Sequence, residues 1–323
     1  MTPVGLHYTL SHFDIPEIDA RDFRLTVAGA VGAPLSLGLE DVVALGPART
    51  LRVTLECAGN GRAGMAPRYP SMPWQAGGVG TAEWTGVPLR HLLDRAGLGP
   101  AVQEVAFVGA DRGFDSGVEH AFGRSLRRDL ALHDDVLLAW EMNGRPLTPQ
   151  HGAPLRLVVP GWFGMASVKW LSVVEARERP YEGYQQAVGY HYRKLANEPG
   201  VPITHAKVKS LMAPPGIPDW YTRRRLVERG RVTVAGRAWS GAGKAVARVQ
   251  FAVDGHWQDA VLAPASHRYA WQRWECAWEA TPGEHELACR ATDASGATQP
   301  MVPEWNRAGM GNNAVHVVQV TVR

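Results

Sequence analysis

Apolar residues recur along the chain at two different periods, and the change between them divides the sequence. The first two thirds are mixed. Leu89, Leu92, Leu93 and Ala96 fall at helical spacing and Gly97 follows as a stop, which predicts a helix over residues 89–96. Residues 52–56 and 155–159 read as strands, the second closed by the turn residues Pro160 and Gly161. Residues 168–174 are a further strand candidate. In the last third, residues 231–235, 245–253 and 315–322 alternate apolar and polar with period two, and Gly-containing turns (Asp254-Gly255, Pro282-Gly283) lie between the runs. Short strands at this spacing predict a β-sandwich of about a hundred residues. Between the two textures, residues 212–219 hold three prolines and a glycine, too many for a helix or a central strand. The expected architecture is a mixed α+β domain over residues 1–212, a linker at 213–219, and an all-β domain over 220–323.

Composition narrows the function classes. A chain of 323 residues suggests about two domains. With 45% hydrophobic and 20% charged residues it can bury a sizeable core, which excludes a disordered protein. The formal net charge is +3 with no dense Lys/Arg run, so nucleic acid is not an expected partner. No run of about eighteen apolar residues predicts a membrane span. Residues 1–21 lack the basic and apolar regions of a signal peptide, so the expected location is the cytoplasm, or the periplasm if an export signal has been removed. Three cysteines do not make a disulfide framework. Cys276 and Cys289 flank Pro282-Gly283 and are placed to face each other across a hairpin; buried thiols are expected there rather than a disulfide. Trp271, Trp274 and Trp278 read as sandwich core or interface.

Cys57 is different. It ends a predicted strand and opens a loop with three glycines and Arg62, AGNGRAG. Such a loop brings backbone N–H groups close to a ligand, and a strand-end Cys near an Arg meets the conditions for a thiolate. The local sequence leaves several readings open: a buried inert thiol, a nucleophile using one of His91, His120, His151 or His191 as base, or a soft metal ligand. No CxxC or HxxxH pair accompanies it, so a lone thiolate suits a metal whose other ligands come from an organic cofactor.

Three fragments in order carry a resemblance: Val53 to Asn60 (VTLECAGN), His151 to Gly161 (HGAPLRLVVPG), and Val168 to Trp170 (VKW). With Trp239 to Gly243 (WSGAG) and Trp305-Asn306 in the all-β region, the chain from about Tyr8 onward resembles the sulfite oxidase family of molybdopterin-dependent oxidoreductases. The resemblance implies a mixed α+β molybdopterin-binding domain followed by an immunoglobulin-like dimerisation domain, and so a homodimer. It implies molybdenum held by Cys57 and one molybdopterin. It places Arg62 at the anionic substrate, Trp74 in the substrate pocket, and Tyr190 near the metal, with Tyr184 and Tyr192 as neighbouring alternatives. His12, Asp111, His151, Arg156, Ser167 and Lys169 match cofactor-binding positions, which suits a pterin with a phosphate that needs charge-assisted donors.

The sequence departs from the family at substrate-facing cations. Leu10 stands where an Arg usually lies two residues before the N-terminal His, Gly61 replaces a frequent Arg, and Ala308 occupies the place of another, with Arg307 one position early. The expected activity is oxidation of sulfite to sulfate by oxo transfer, with electrons passed to an external acceptor such as a c-type cytochrome; no haem is expected in this chain. Fewer cations keep two alternatives open: a molybdenum-dependent reductase of an S-oxide, N-oxide or nitrate, and a partner-dependent sulfur-oxidation subunit.

Overall fold

The computed structural model describes residues 1–323, which form two compact units. The first comprises Met1–Ala58, Gly77–Thr204 and Asn306–Ala308; the second comprises Gly59–Ala76, His205–Trp305 and Gly309–Arg323.

The first unit is built on two sheets with few helices. In chain order its main elements are β1 (Leu25–Gly29), β2 (Leu35–Leu37), α1 (Leu39–Val43), β3 (Arg49–Glu56), β4 (Val79–Pro88), α2 (Leu89–Ala96), β5 (Glu104–Asp115), β6 (Val118–Arg127), α3 (Arg128–Ala131), β7 (Leu137–Met142), β8 (Arg145–Pro146), β9 (Arg156–Val158) and β10 (Leu171–Arg177), with a short pair β11 (His191–Tyr192) and β12 (Val201–Pro202) after them. One sheet runs β2-β1-β10-β5-β6, with β1 and β10 parallel; the other runs β3-β4-β7-β8, with β9 added to β7. Helix α2 forms where the spacing predicts it, burying Leu89, Leu92, Leu93 and Ala96 on one face and ending at Gly97 with a left-handed φ of 70°. Strand β3 is fully buried over its last four residues, so the chain reaches Cys57 through the interior.

The strand expected over 168–174 begins later, at Leu171. Trp170 has φ +49°, a left-handed conformation no strand continues, and its indole N–H donates to Pro149 O at 2.8 Å. Residues 167–170 therefore form an irregular turn, and this turn lines the cavity described below.

The second unit is an immunoglobulin-like β-sandwich. Its strands are β13 (Lys209–Ala213), β14 (Ile217–Pro218), β15 (Arg225–Val227), β16 (Gly230–Trp239), β17 (Val246–Val253), β18 (His256–Asp259), β19 (Val261–Leu262), β20 (Gln272–Ala280), β21 (Gly283–Asp293) and β22 (His316–Val322). They form sheets β13-β16-β20-β19 and β14-β15-β22-β21-β17-β18. β20 alternates buried and exposed without a break, placing Trp274, Cys276, Trp278 and Ala280 in the core with Phe251, Leu287, Cys289 and Val320 of the other sheet. Asp254 and Gly255, both at positive φ, close the β17–β18 hairpin as the Asp-Gly pair predicts. The proline-rich residues 212–219 lie within this unit, and Pro218 is accommodated because β14 is an edge strand.

Cys276 and Cys289 do not face each other across a hairpin, because β20 and β21 belong to different sheets. Both thiols are free and buried, as expected, and burial pushes the Cys289 thiol up to about 12. Phe251 is fully buried between the sheets. Phe251→Ala should cost about 3–5 kcal/mol in urea denaturation of the sandwich. Val261→Ala, at a residue 69% exposed, should stay within about 0.5 kcal/mol; equal effects would contradict the packing described.

Candidate functional site

Strand β3 delivers Cys57 to the wall of a cavity in the first unit. The Cys57 N–H donates to Gly78 O at 2.8 Å, so the turn after β3 is pinned to the start of β4. Three other stretches complete the wall: residues 7–12 near the N-terminus, the His151–Trp170 region, and Asp111, Phe122 and Tyr190. Eight residues singled out in the sequence thus meet around one space: His12, Cys57, Asp111, His151, Arg156, Ser167, Lys169 and Tyr190.

Each side chain is held by its own neighbours. The Arg156 guanidinium donates to His151 O at 2.9 Å and Ser167 O at 3.0 Å and lies 4.6 Å over the Trp84 ring. The Ser167 hydroxyl accepts from Val159 N–H at 3.1 Å, which leaves its own proton able to donate elsewhere. Lys169 Nζ donates to Ser11 Oγ at 2.9 Å and to Gln150 O at 3.2 Å. His151 Nε2 donates to Val4 O at 3.2 Å. The Tyr190 hydroxyl and His12 Nε2 are hydrogen-bonded at 2.9 Å. Of the three candidate tyrosines Tyr190 is the one at the cavity; Tyr184 stacks near His120 and Tyr192 lies on β11.

Burial sets the charge of the site. It drives His7 and His12 down to about 4, so both rings are neutral at physiological pH. It lowers His151 too, and lowers Arg156 to about 10, where the guanidinium keeps its proton. Lys169 falls to about 7 through burial and repulsion by Arg156, against the attraction of Asp111. Asp111 rises to about 6 through burial, opposed by its own backbone N–H and by Lys169. Its Oδ1 is buried without a hydrogen-bond partner.

Two cavity residues lack a sequence signal. His7 and Tyr8 stand in no motif, yet both line the space; His7 packs edge-on to His151 at 5.5 Å, and its Nε2 is buried without a partner. The Tyr8 phenol is pushed well above its ordinary range by burial, followed by the neighbouring Cys57 sulfur. A Cβ on Gly164 would fall 2.2 Å from the Tyr8 hydroxyl, so that glycine makes room for the ring. Leu10, the expected departure, also lines the cavity.

Arg62 and Trp74 belong to the second unit, on the segment Gly59–Ala76. Gly61 at φ +86° turns the chain into a single 3-10 turn beginning at Arg62. There Arg62 is buried, donating to Ser71 Oγ at 3.0 Å, Met72 O at 3.2 Å and Gly309 O at 3.3 Å. Trp74 is half-buried, and its carbonyl accepts from Ala63 N–H at 3.0 Å. Lys209 Nζ holds the start of the same loop through Asn60 O at 3.3 Å.

Comparison with known proteins gives the family. Residues 12–185 match the model of the oxidoreductase molybdopterin binding domain, and residues 202–323 match the Mo-co oxidoreductase dimerisation domain. The chain is 34% identical to sulfite oxidase of Gallus gallus, aligning over 98% of its own length and 72% of the relative's. The chain belongs to the sulfite oxidase family. It is also 35% identical to mitochondrial sulfite oxidase of Mus musculus, over all of its own length and 62% of that protein's. A nitrate reductase [NADH] of Phaseolus vulgaris is 32% identical, over all of this chain and 39% of the relative. Among solved structures, the sulfane dehydrogenase SoxCD of Paracoccus pantotrophus superposes with a TM-score of 0.85 at 29% identity, covering 99% of this chain and 81% of that one.

The cavity residues fit the cofactor of this family. A pterin presents N–H donors, and the unpartnered Asp111 oxygen is a buried acceptor without one. A phosphate needs cationic donors, and Lys169 faces the same space with a charge that burial only half sustains. A soft metal needs a thiolate, and Cys57 is the cysteine at the wall.

The Lys169 shift gives a test on the cofactor-free protein. A lysine lowered from 10.5 to about 7 binds fewer protons folded than unfolded between those pH values. Its destabilisation is complete below about pH 7 and fades as pH rises towards 10.5. Lys169→Met should therefore gain stability relative to wild type at pH 7, with the difference shrinking by pH 9.5 in urea denaturation. A difference that does not change with pH would refute the assigned shift.

Proposed function

We propose that this chain is a molybdenum-dependent sulfite oxidase that passes electrons to a separate acceptor and works as a homodimer through its sandwich unit. The carrying observation is the meeting of one thiol, an unpartnered carboxylate oxygen and a cationic lysine at a single cavity, in a chain of this family. Molybdopterin, when bound, supplies two-electron oxo-transfer chemistry at its metal. Cys57 would ligate that metal, Asp111 would accept from the pterin, and Lys169, Ser167 and His151 would receive its polar groups.

The protein's own groups are suited to a small oxyanion. The Tyr190 hydroxyl shares a hydrogen bond with His12 Nε2 at the cavity, which fixes where this phenol would meet an anion. A neutral His12 does this without placing a second full charge beside the substrate. The walls restrict water and hold the donors in place before the anion arrives.

A second reading follows from Leu10, an apolar side chain on the cavity wall, and from the similarity to SoxCD. In that reading the chain acts on a sulfur substrate carried by a partner and turns over only in a complex. Purified holoenzyme given sulfite and cytochrome c separates the two. We expect sulfite-dependent cytochrome reduction by the chain alone, and its loss by at least about a thousandfold in Cys57→Ser. Full activity in Cys57→Ser would remove the ligand assignment. A molybdenum-loaded wild type without sulfite turnover would favour the partner-dependent reading.

A further inference from the structure

Arg124 takes no part in the chemistry above, yet it is the most unusual charge in the first unit. It lies on β6 with a relative exposure of 1%. Nη1 donates to Gln185 O and Nη2 to Ile203 O at 3.4 Å, while Nε is buried without any partner. No carboxylate pairs with it. The nearby Asp115 carboxylate is engaged by the Gln185 side-chain amide at 3.1 Å. Burial lowers Arg124 to about 10, so it remains charged at neutral pH. A buried charge without a counterion is strongly unfavourable unless something negative arrives to face it.

Its position says where that would be. The guanidinium carbon is 5.3 Å from the centroid of the Tyr190 ring, whose hydroxyl is bonded to His12 at the cavity. The carbonyl it grips, Gln185 O, starts the single helical turn Gln185–Gly189 that leads directly into Tyr190. The cation thus stands one aromatic ring behind the cavity wall and holds the backbone that presents that ring. Arg156 and Lys169 bear on the His151–Trp170 side; Arg124 is the cation behind Tyr190.

We propose that Arg124 is a positioning residue for the anionic substrate: its buried, unpaired charge draws an oxyanion to the Tyr190 hydroxyl without touching it. The inference rests on the reading of an oxyanion substrate. Its charge acts through low-dielectric protein, where a cation is felt farther than at a solvated surface.

The test uses holoenzyme at pH 6.5 and low ionic strength, with sulfate as an inert probe titrated by calorimetry. Arg124→Gln keeps hydrogen-bond donors and loses the charge; Arg124→Lys keeps the charge. Sulfate affinity should fall about tenfold in Arg124→Gln and return most of the way in Arg124→Lys. Thermal midpoints measured alongside identify any variant that fails to fold, and sulfite KM in the folded variants should follow the sulfate affinities while kcat changes less. Wild-type affinity in Arg124→Gln, or equal weakening in both variants, would assign Arg124 a structural role and overturn the proposal. A wild type that binds no sulfate also overturns it. A wild type that binds sulfate with the expected variant order but does not oxidise sulfite overturns the functional reading and leaves this inference standing.

Discussion

The cavity depends on one buried guanidinium. Arg156 sits between two turns, the 3-10 turn ending at His151 and the irregular turn through Ser167, and adds to the Trp170–Pro149 and Lys169–Gln150 hydrogen bonds that also join them. It bridges their carbonyls while its face rests on Trp84 of β4. Taking an arginine out of water is unfavourable by several kcal/mol, and backbone carbonyls offset this only if they converge from the right directions. That convergence fixes His151, Ser167 and Lys169 relative to each other. An apolar residue of similar volume would fill the space but would leave His151 O and Ser167 O without donors. The sequence reading of Arg156 as a cofactor contact is thus joined by a second duty, which the bonds to both turns make visible.

Much of the architecture was legible from period alone, because packing and sequence pattern coincide there. The unbroken alternation of β20 and the helical spacing of α2 each put apolar residues on the single face that is buried. The failures occur where local pattern and structure part. Residues 168–170 look like the start of a strand because Val168 and Trp170 alternate around Lys169. The positive φ of Trp170 and the hydrogen bond from its indole to Pro149 O are long-range consequences that alternation cannot express. The hairpin expected between Cys276 and Cys289 failed similarly. The turn at Pro282-Gly283 carries the chain from one sheet to the other, and period two is the same whether the next strand pairs or crosses over.

The site was legible to a different degree for different residues. Cys57, His151 and Lys169 were found through fragments whose spacing along the chain is distinctive, and the fold brings them to one cavity. His7 and Tyr8 were not found, since each is an ordinary residue on an N-terminal segment that only the tertiary fold carries across to β3. Arg124 was also invisible, because an arginine on a strand reads as a solvated face until its burial is known.

These observations form one electrostatic argument. Burial at the cavity holds its histidines neutral, lowers Lys169 to about 7 and raises Asp111 to about 6, so these wall residues are all pushed away from their charged forms. The two arginines cannot respond in this way, because even after burial their pKa values near 10 leave them charged. Two arginines that keep their charge therefore stand among groups whose charge burial weakens. Such a wall is complementary to an anionic ligand, which would also favour the protonated form of Lys169. The wall is therefore better understood as half of a charge pair than as a finished core. In the proposed function, the stability surrendered by burying Arg124 and Arg156 would be the physical source of a preference for anions.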